Sequence, residues 1–96
     1  MTIVEITKTR VLIQGHSGYA PPGKDIVCAA ISALSQTLIS ALENLAGEKI
    51  EYDIEPGYVD IRHEHLSERG NLLIDAFFVG ICGIADAYPN HVHICP

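Results

Sequence analysis

Val27, Ile31, Leu34, Leu38, Leu42 and Leu45 recur at steps of three and four. Only a helix gathers that spacing onto one face. Asp25 stands just before the stripe as a good N-cap, and Gly47 just after it as a stop. A helix with one apolar stripe has to bury it, and the flanking segments supply strands to bury it against. "TIVEITKT" alternates apolar and polar residues, as a half-buried strand does. "RVLIQGH" follows as its partner after a short turn near Thr9. "KIEYDI" and "YVDIRHEH" flank "EPGY", whose Pro56 and Gly57 suit the central positions of a type II turn, so this pair reads as a hairpin. "SERGNLLIDAFFVGICGIADAYP" is a second helix, with Leu73, Phe77, Ile81, Ile84 and Tyr88 on one face and Pro89 ending it. Gly80 and Gly83 each cost it about 1 kcal/mol relative to Ala, a cost that close packing against a neighbour offsets. "HVHIC" is a short last strand. The predicted order is β-β-α-β-β-α-β. It describes an α/β (α+β) fold with a single mixed sheet of about five strands and two helices on one face, in one domain over residues 1–96.

Size and charge narrow the function. A chain of 96 residues buries about 60–65% of its unfolded surface, so its core is small. The net charge is −6 and the six basic residues form no run, which argues against direct contact with nucleic acid, because phosphate neutralisation needs Lys and Arg. No stretch reads as the roughly 18 apolar residues of a membrane span. "MTIVEITKTR" lacks the basic start and apolar core of a signal peptide, so a cytoplasmic location is expected. Three Cys is an odd number, and free thiols are expected rather than a disulfide framework.

The chemistry concentrates in "GHSGYAPPGKDIVCAAISAL", residues 15 to 34. Counted from Asp25 as cap, Cys28 is the third helical residue, where unpaired N–H groups and the helix dipole favour a thiolate. A thiol nucleophile needs a base to take its proton and return it to a leaving amine, and His is the side chain suited to that. His16 lies at a strand end, where a strand leads toward the helix N-terminus. Gly18 and Gly23 let the intervening loop move while Pro21 and Pro22 limit how, as a loop that covers a bound peptide requires. Cys28, Ser32 and Ser35 fall on one helix face distinct from the Leu stripe, and Ala29, Ala30 and Ala33 leave room beside it. On these residues alone a second reading stands beside the catalytic one: a small buried Cys, an exposed strand-end His and an Asp that only caps.

The same segment resembles the signature of the bacterial ribosomal-processing cysteine proteases (Prp), a Gly-His-Ala-rich segment and a mobile loop before Gly-x-Asp-Ile-Val-Cys-Ala-Ala-Val-Ser. Gly23, Asp25, Ile26, Val27, Cys28, Ala29, Ala30 and Ser32 fit it. Ser17 stands where Ala is usual and Ile31 where Val is usual. The likeness extends to "ADAYPNHVHI", similar to the family's closing helix, Tyr-Pro and final strand, while the first hairpin is shorter near Thr9 than in many members. The resemblance implies a homodimer of this fold, with Cys28 as nucleophile and His16 as general base. Asp25 and Ser32 would line or support the site, with Gly15 and Gly23 framing it, and no metal or organic cofactor would be needed. It implies a substrate as well, the N-terminal extension of the twenty-seventh large-subunit ribosomal protein, cut after a short apolar segment containing Phe. Related proteins in phage genomes imply phage structural proteins as an alternative. In the acyl transfer expected, backbone N–H groups at the helix start would hold the oxyanion.

A non-enzymatic module that binds a ribosomal or capsid protein without cutting it has no need of a reactive thiol. His63 and His65, with His91, His93 and Cys95, alternate on strands and would make a zinc site if the strands were neighbours. The one-residue spacing is not a usual structural-zinc pattern, and strand alternation explains it. Cys82 is expected in the core and Cys95 at an inert end.

Overall fold

The computed structural model describes residues 1–95. The elements run β1 (Thr2–Ile6), β2 (Arg10–Gln14), α1 (Ile26–Asn44), β3 (Glu51–Glu55), β4 (Tyr58–Arg62), α2 (Glu68–Ala87) and β5 (Val92–Ile94). They form one five-stranded sheet in the order β3-β4-β2-β1-β5. β1 and β5 pair in parallel and the remaining neighbours are antiparallel, so the sheet is mixed as the sequence predicts. α1 carries the chain from β2 to the edge strand β3, and α2 carries it from β4 to the opposite edge. β2 and β4 run in opposite senses and the two crossovers travel in opposite directions, so right-handed connections place both helices on the same face.

The period-two pattern of the strands decides which side meets them. Val4, Val11, Ile13, Ile61 and Val92 point to the helices and join Val27, Ile31, Leu38, Ile39, Leu42, Ile74, Phe77 and Ile81 in one buried cluster. The predicted α1 stripe is this buried face, except that Leu34 is only half-buried and Leu45, just past the helix, is 71% exposed. Gly80 lets α2 approach α1 closely, since a Cβ there would sit 3.0 Å from Leu34 Cδ1, whereas Gly83 faces open space. The neighbour that offsets the cost of Gly80 is therefore the first helix.

On the open face of the sheet, Asp60 is buried between two arginines. It accepts from Arg10 Nε at 2.7 Å and Arg62 Nη1 at 2.7 Å. The Arg10 guanidinium first, and then Arg62, outweigh burial and hold its carboxyl below the usual carboxylate range.

By length and mean hydropathy both helices are long and apolar enough to cross a membrane, which corrects the expectation that no segment is. Their apolar stripes nonetheless face the sheet and each other, as core helices do.

Candidate active site

β2 ends at Gln14, and Gly15 turns the chain out of the sheet. The Gly15 N–H donates to Gly57 O at 2.8 Å, and the residue adopts φ +92° with Met1 O only 2.5 Å from where a Cβ would stand. No side chain fits there. The turn presents His16 beside the β3–β4 hairpin, whose Pro56-Gly57 corner places Gly57 at φ +70°, as position i+2 of a type II turn demands. The imidazole lies against this glycine, with Nε2 2.7 Å from a Cβ built on Gly57.

Asp25 organises the other side. Its Oδ1 accepts from the N–H of Val27 at 3.0 Å and of Cys28 at 2.9 Å. Its Oδ2 accepts from Ser17 Oγ at 2.6 Å and from the N–H of Tyr19 and Ala20 at 3.1 and 3.3 Å. Burial pushes the Asp25 carboxyl up. The hydrogen bonds from Ser17, Cys28, Ala20 and Tyr19 together outweigh it and hold the group well below the usual carboxylate range. One carboxylate thus caps α1 and ties the loop over residues 17–24 to the helix start. It also occupies the N–H groups of Val27 and Cys28, two of the helix-start donors among which an oxyanion site was expected.

Cys28 opens the helix as its third residue and is half-buried. Among the described residues, the hydrogen bonds of its Sγ run to Ser17. The Ser17 N–H donates to the sulfur at 3.4 Å, and the thiol lies 3.5 Å from Ser17 Oγ. His16 and Cys28 line the same two grooves. Both line a groove of about 370 Å³ between α1 and the β3–β4 hairpin, floored by Ile13, Ile31, Ile54 and Val59. Both also line a second groove of about 640 Å³ beneath the loop, bounded by Ala20, Pro22, Gly23 and Asp25. Ser32 is the third residue common to the two grooves. Gly15 borders the first groove and Gly23 the second. Ser35, predicted on the face of Cys28 and Ser32, is fully buried and donates to Ile31 O at 2.9 Å.

The remaining histidines do not assemble. His63 is buried at the end of β4 while His65 is exposed. His91 precedes β5 and turns its Nδ1 to Ser17 O at 2.9 Å, and His93 is exposed on β5. Among the described residues no group of three His, Cys, Asp or Glu is placed to hold a metal ion. Cys82 and Cys95 are half-buried free thiols, and the Cys95 N–H donates to Val4 O at 2.8 Å.

Sequence reasoning missed Gly57, Tyr19 and His91 as parts of the site. The Pro-Gly turn was legible. That its glycine lies under His16 follows only from the β2–β4 pairing, and no local signal marks His91, which reaches the site across 74 residues of chain.

A family model described as cysteine protease Prp matches residues 1–93. The ribosomal processing cysteine protease Prp of Mycoplasma genitalium is 29% identical over an alignment 96 positions long that covers 98% of this chain and 94% of the relative. The crystal structure of the essential ribosomal processing protease Prp from Staphylococcus aureus, in complex with a covalently linked product peptide, superposes with a TM-score of 0.93. Identity there is 25%, covering 98% of this chain and 97% of that one. A solved Streptococcus mutans protein is 31% identical with a TM-score of 0.78, covering 97% and 92% of the two chains. With nearly every residue matched by the family model and the thiol and imidazole facing one cleft, the chain belongs to the Prp family of cysteine proteases.

Proposed function

We propose that this chain is a cysteine endopeptidase of ribosomal protein processing. It removes the N-terminal extension of the twenty-seventh large-subunit ribosomal protein by cutting after an apolar segment containing Phe. The observation that carries the reading is the junction of two grooves at His16, Cys28 and Ser32. An endopeptidase must hold chain on both sides of the scissile bond, and a single pocket beside a thiol would not do so. The groove floored by Ile13, Ile31, Ile54 and Val59 suits apolar side chains. A chain of net charge −6 favours encounter with a basic ribosomal protein.

In this reading His16 takes the Cys28 thiol proton as the sulfur attacks the scissile carbonyl. It then returns that proton to the leaving amine, which departs with the C–N bond pair. Water, deprotonated by His16, next attacks the thioester, releasing the carboxylate and restoring the thiol. Among the described residues the hydrogen bonds of the Cys28 sulfur run to Ser17, so His16 must turn from its place over Gly57 toward the sulfur when peptide binds. The chain works in the cytoplasm as a homodimer without touching nucleic acid. Leu72 and Val79, 67% and 70% exposed on the outer side of α2, support a second copy covering that side.

The test is to incubate the protein with the extended ribosomal protein and identify the fragments by mass spectrometry. A single cut after the Phe-containing segment is expected. Cleavage of phage structural proteins in its place would redirect the reading to that substrate class, and tight binding without any cut would make the chain a binding module.

A further inference from the structure

Ser17 is 2% exposed and each of its polar groups has a partner. Its N–H donates to Cys28 Sγ at 3.4 Å, and its Oγ donates to Asp25 Oδ2 at 2.6 Å. The same Oγ is 3.5 Å from the Cys28 thiol and accepts from the Tyr19 N–H at 3.3 Å. The carbonyl remains, and its partner comes from the far end of the chain: His91 Nδ1 lies 2.9 Å from Ser17 O. A carbonyl oxygen only accepts, so for this contact to be a hydrogen bond Nδ1 must carry the proton.

His91 is itself held at both backbone groups. Its N–H donates to Tyr88 O at 3.0 Å and its carbonyl accepts from the Thr2 N–H at 2.9 Å. Its ring stands edge-on to Tyr19 at 5.5 Å, and Tyr88 flanks the same tyrosine at 5.3 Å. Tyr19 is thus gripped by two rings while the peptide two residues earlier is gripped by the imidazole N–H. His91 lines neither groove, so it acts on the thiol only through Ser17 and not by lining either groove.

We propose that His91 is a positioning residue of the active site: its Nδ1–H fixes the Ser17 peptide, and Ser17 in turn sets the place of the Cys28 sulfur between the grooves. This rests on the reading of Cys28 as nucleophile. Because Ser17 directly follows His16, the same anchor also limits where the general base begins its swing.

His91→Phe keeps a ring against Tyr19 and removes the donor, whereas His91→Asn restores an N–H near the position of Nδ1. The assay is steady-state cleavage of a peptide spanning the processing site. For His91→Phe, kcat falls about fivefold, the worth of one hydrogen bond plus some misplacement, and KM stays within about twofold because no groove contact is lost. His91→Asn recovers most of kcat. Unchanged kcat in His91→Phe, a loss confined to KM, or equal loss in both variants would overturn the proposal. Should His91→Phe fail to fold, imidazole 15N spectra of the unaltered protein decide. A proton on Nδ1 supports the anchor, and a proton on Nε2 alone removes it. A Cys28→Ala protein that still cleaves would defeat the protease reading instead, and the tautomer measurement does not depend on that outcome.

Discussion

Gly57→Ala separates the hairpin corner's role in catalysis from its role in folding. The backbone cost follows from φ +70°: an L side chain in the left-handed region loses about 1 kcal/mol. For a domain of this size that lowers Tm by roughly 4–8 °C. The steric cost falls on one group. A Cβ at Gly57 would stand 2.7 Å from His16 Nε2 and 2.9 Å from Cε1, where ordinary contact begins at 3.4 Å. The ring must retreat by about 0.7 Å, which shifts the place from which His16 turns toward the sulfur, and a misplacement approaching 1 Å costs on the order of 100-fold in rate. Gly47→Ala is the matched control, because Gly47 has φ +64° with no described atom within 4 Å of its Cβ position. Both variants should show the same loss of Tm by scanning calorimetry, while kcat on a processing-site peptide falls roughly 30- to 100-fold in Gly57→Ala alone. Equal kcat in the two variants would refute the claim that the corner glycine makes room for a working His16.

His63 offers a test of stability against pH. It is 7% exposed, and among the described residues neither ring nitrogen has a hydrogen-bond partner. Burial lowers its pKa, with Glu48 opposing, so the unfolded chain binds a proton more readily than the folded one, and stability falls as pH drops below about 6.5. His63→Leu should raise stability at pH 7 by about 1 kcal/mol and flatten that slope in urea titrations; an unchanged slope would show that the imidazole is solvated. Asp25 is shifted the same way in the sense of a carboxylate: the stability it contributes is present above its unfolded pKa of about 4 and is lost as pH falls through its lower folded value. Asp25→Asn puts an amide among the N–H donors of Tyr19 and Ala20, so limited proteolysis between Ser17 and Lys24 should accelerate and cleavage activity should fall. A loop as resistant as the unaltered one would contradict its tethering by this carboxylate.

The element order was fully legible, because the strands alternate at period two, the helices at three and four, and Gly47, Gly57 and Pro89 punctuate them. Sheet order was not, since strand pairing depends on contacts distant in sequence. β3 illustrates the limit: its alternation resembles a half-buried strand, yet all five residues are exposed because it overhangs the helices at the sheet edge. The freed Ile54 then floors the first groove. At the site, the N-cap identity of Asp25 was readable from its place before the stripe, whereas its second oxygen, tying down Ser17, Tyr19 and Ala20, depends on the path of the loop. Ser17 was visible only as a departure from a motif. Its hydroxyl acquires a role because α1 brings Cys28 beside it, a contact that no local pattern encodes. The pairing of His63 with His65 on one strand face failed because β4 ends at Arg62, before the alternation reaches them.

Substituting Ala for Cys28 bears most directly on whether the sulfur at the meeting of the two grooves performs the reaction. The variant should keep the circular dichroism spectrum and Tm of the parent and produce no fragment of the extended ribosomal protein, even after prolonged incubation. Fragments appearing at the parent's rate would show that some other group cuts the chain.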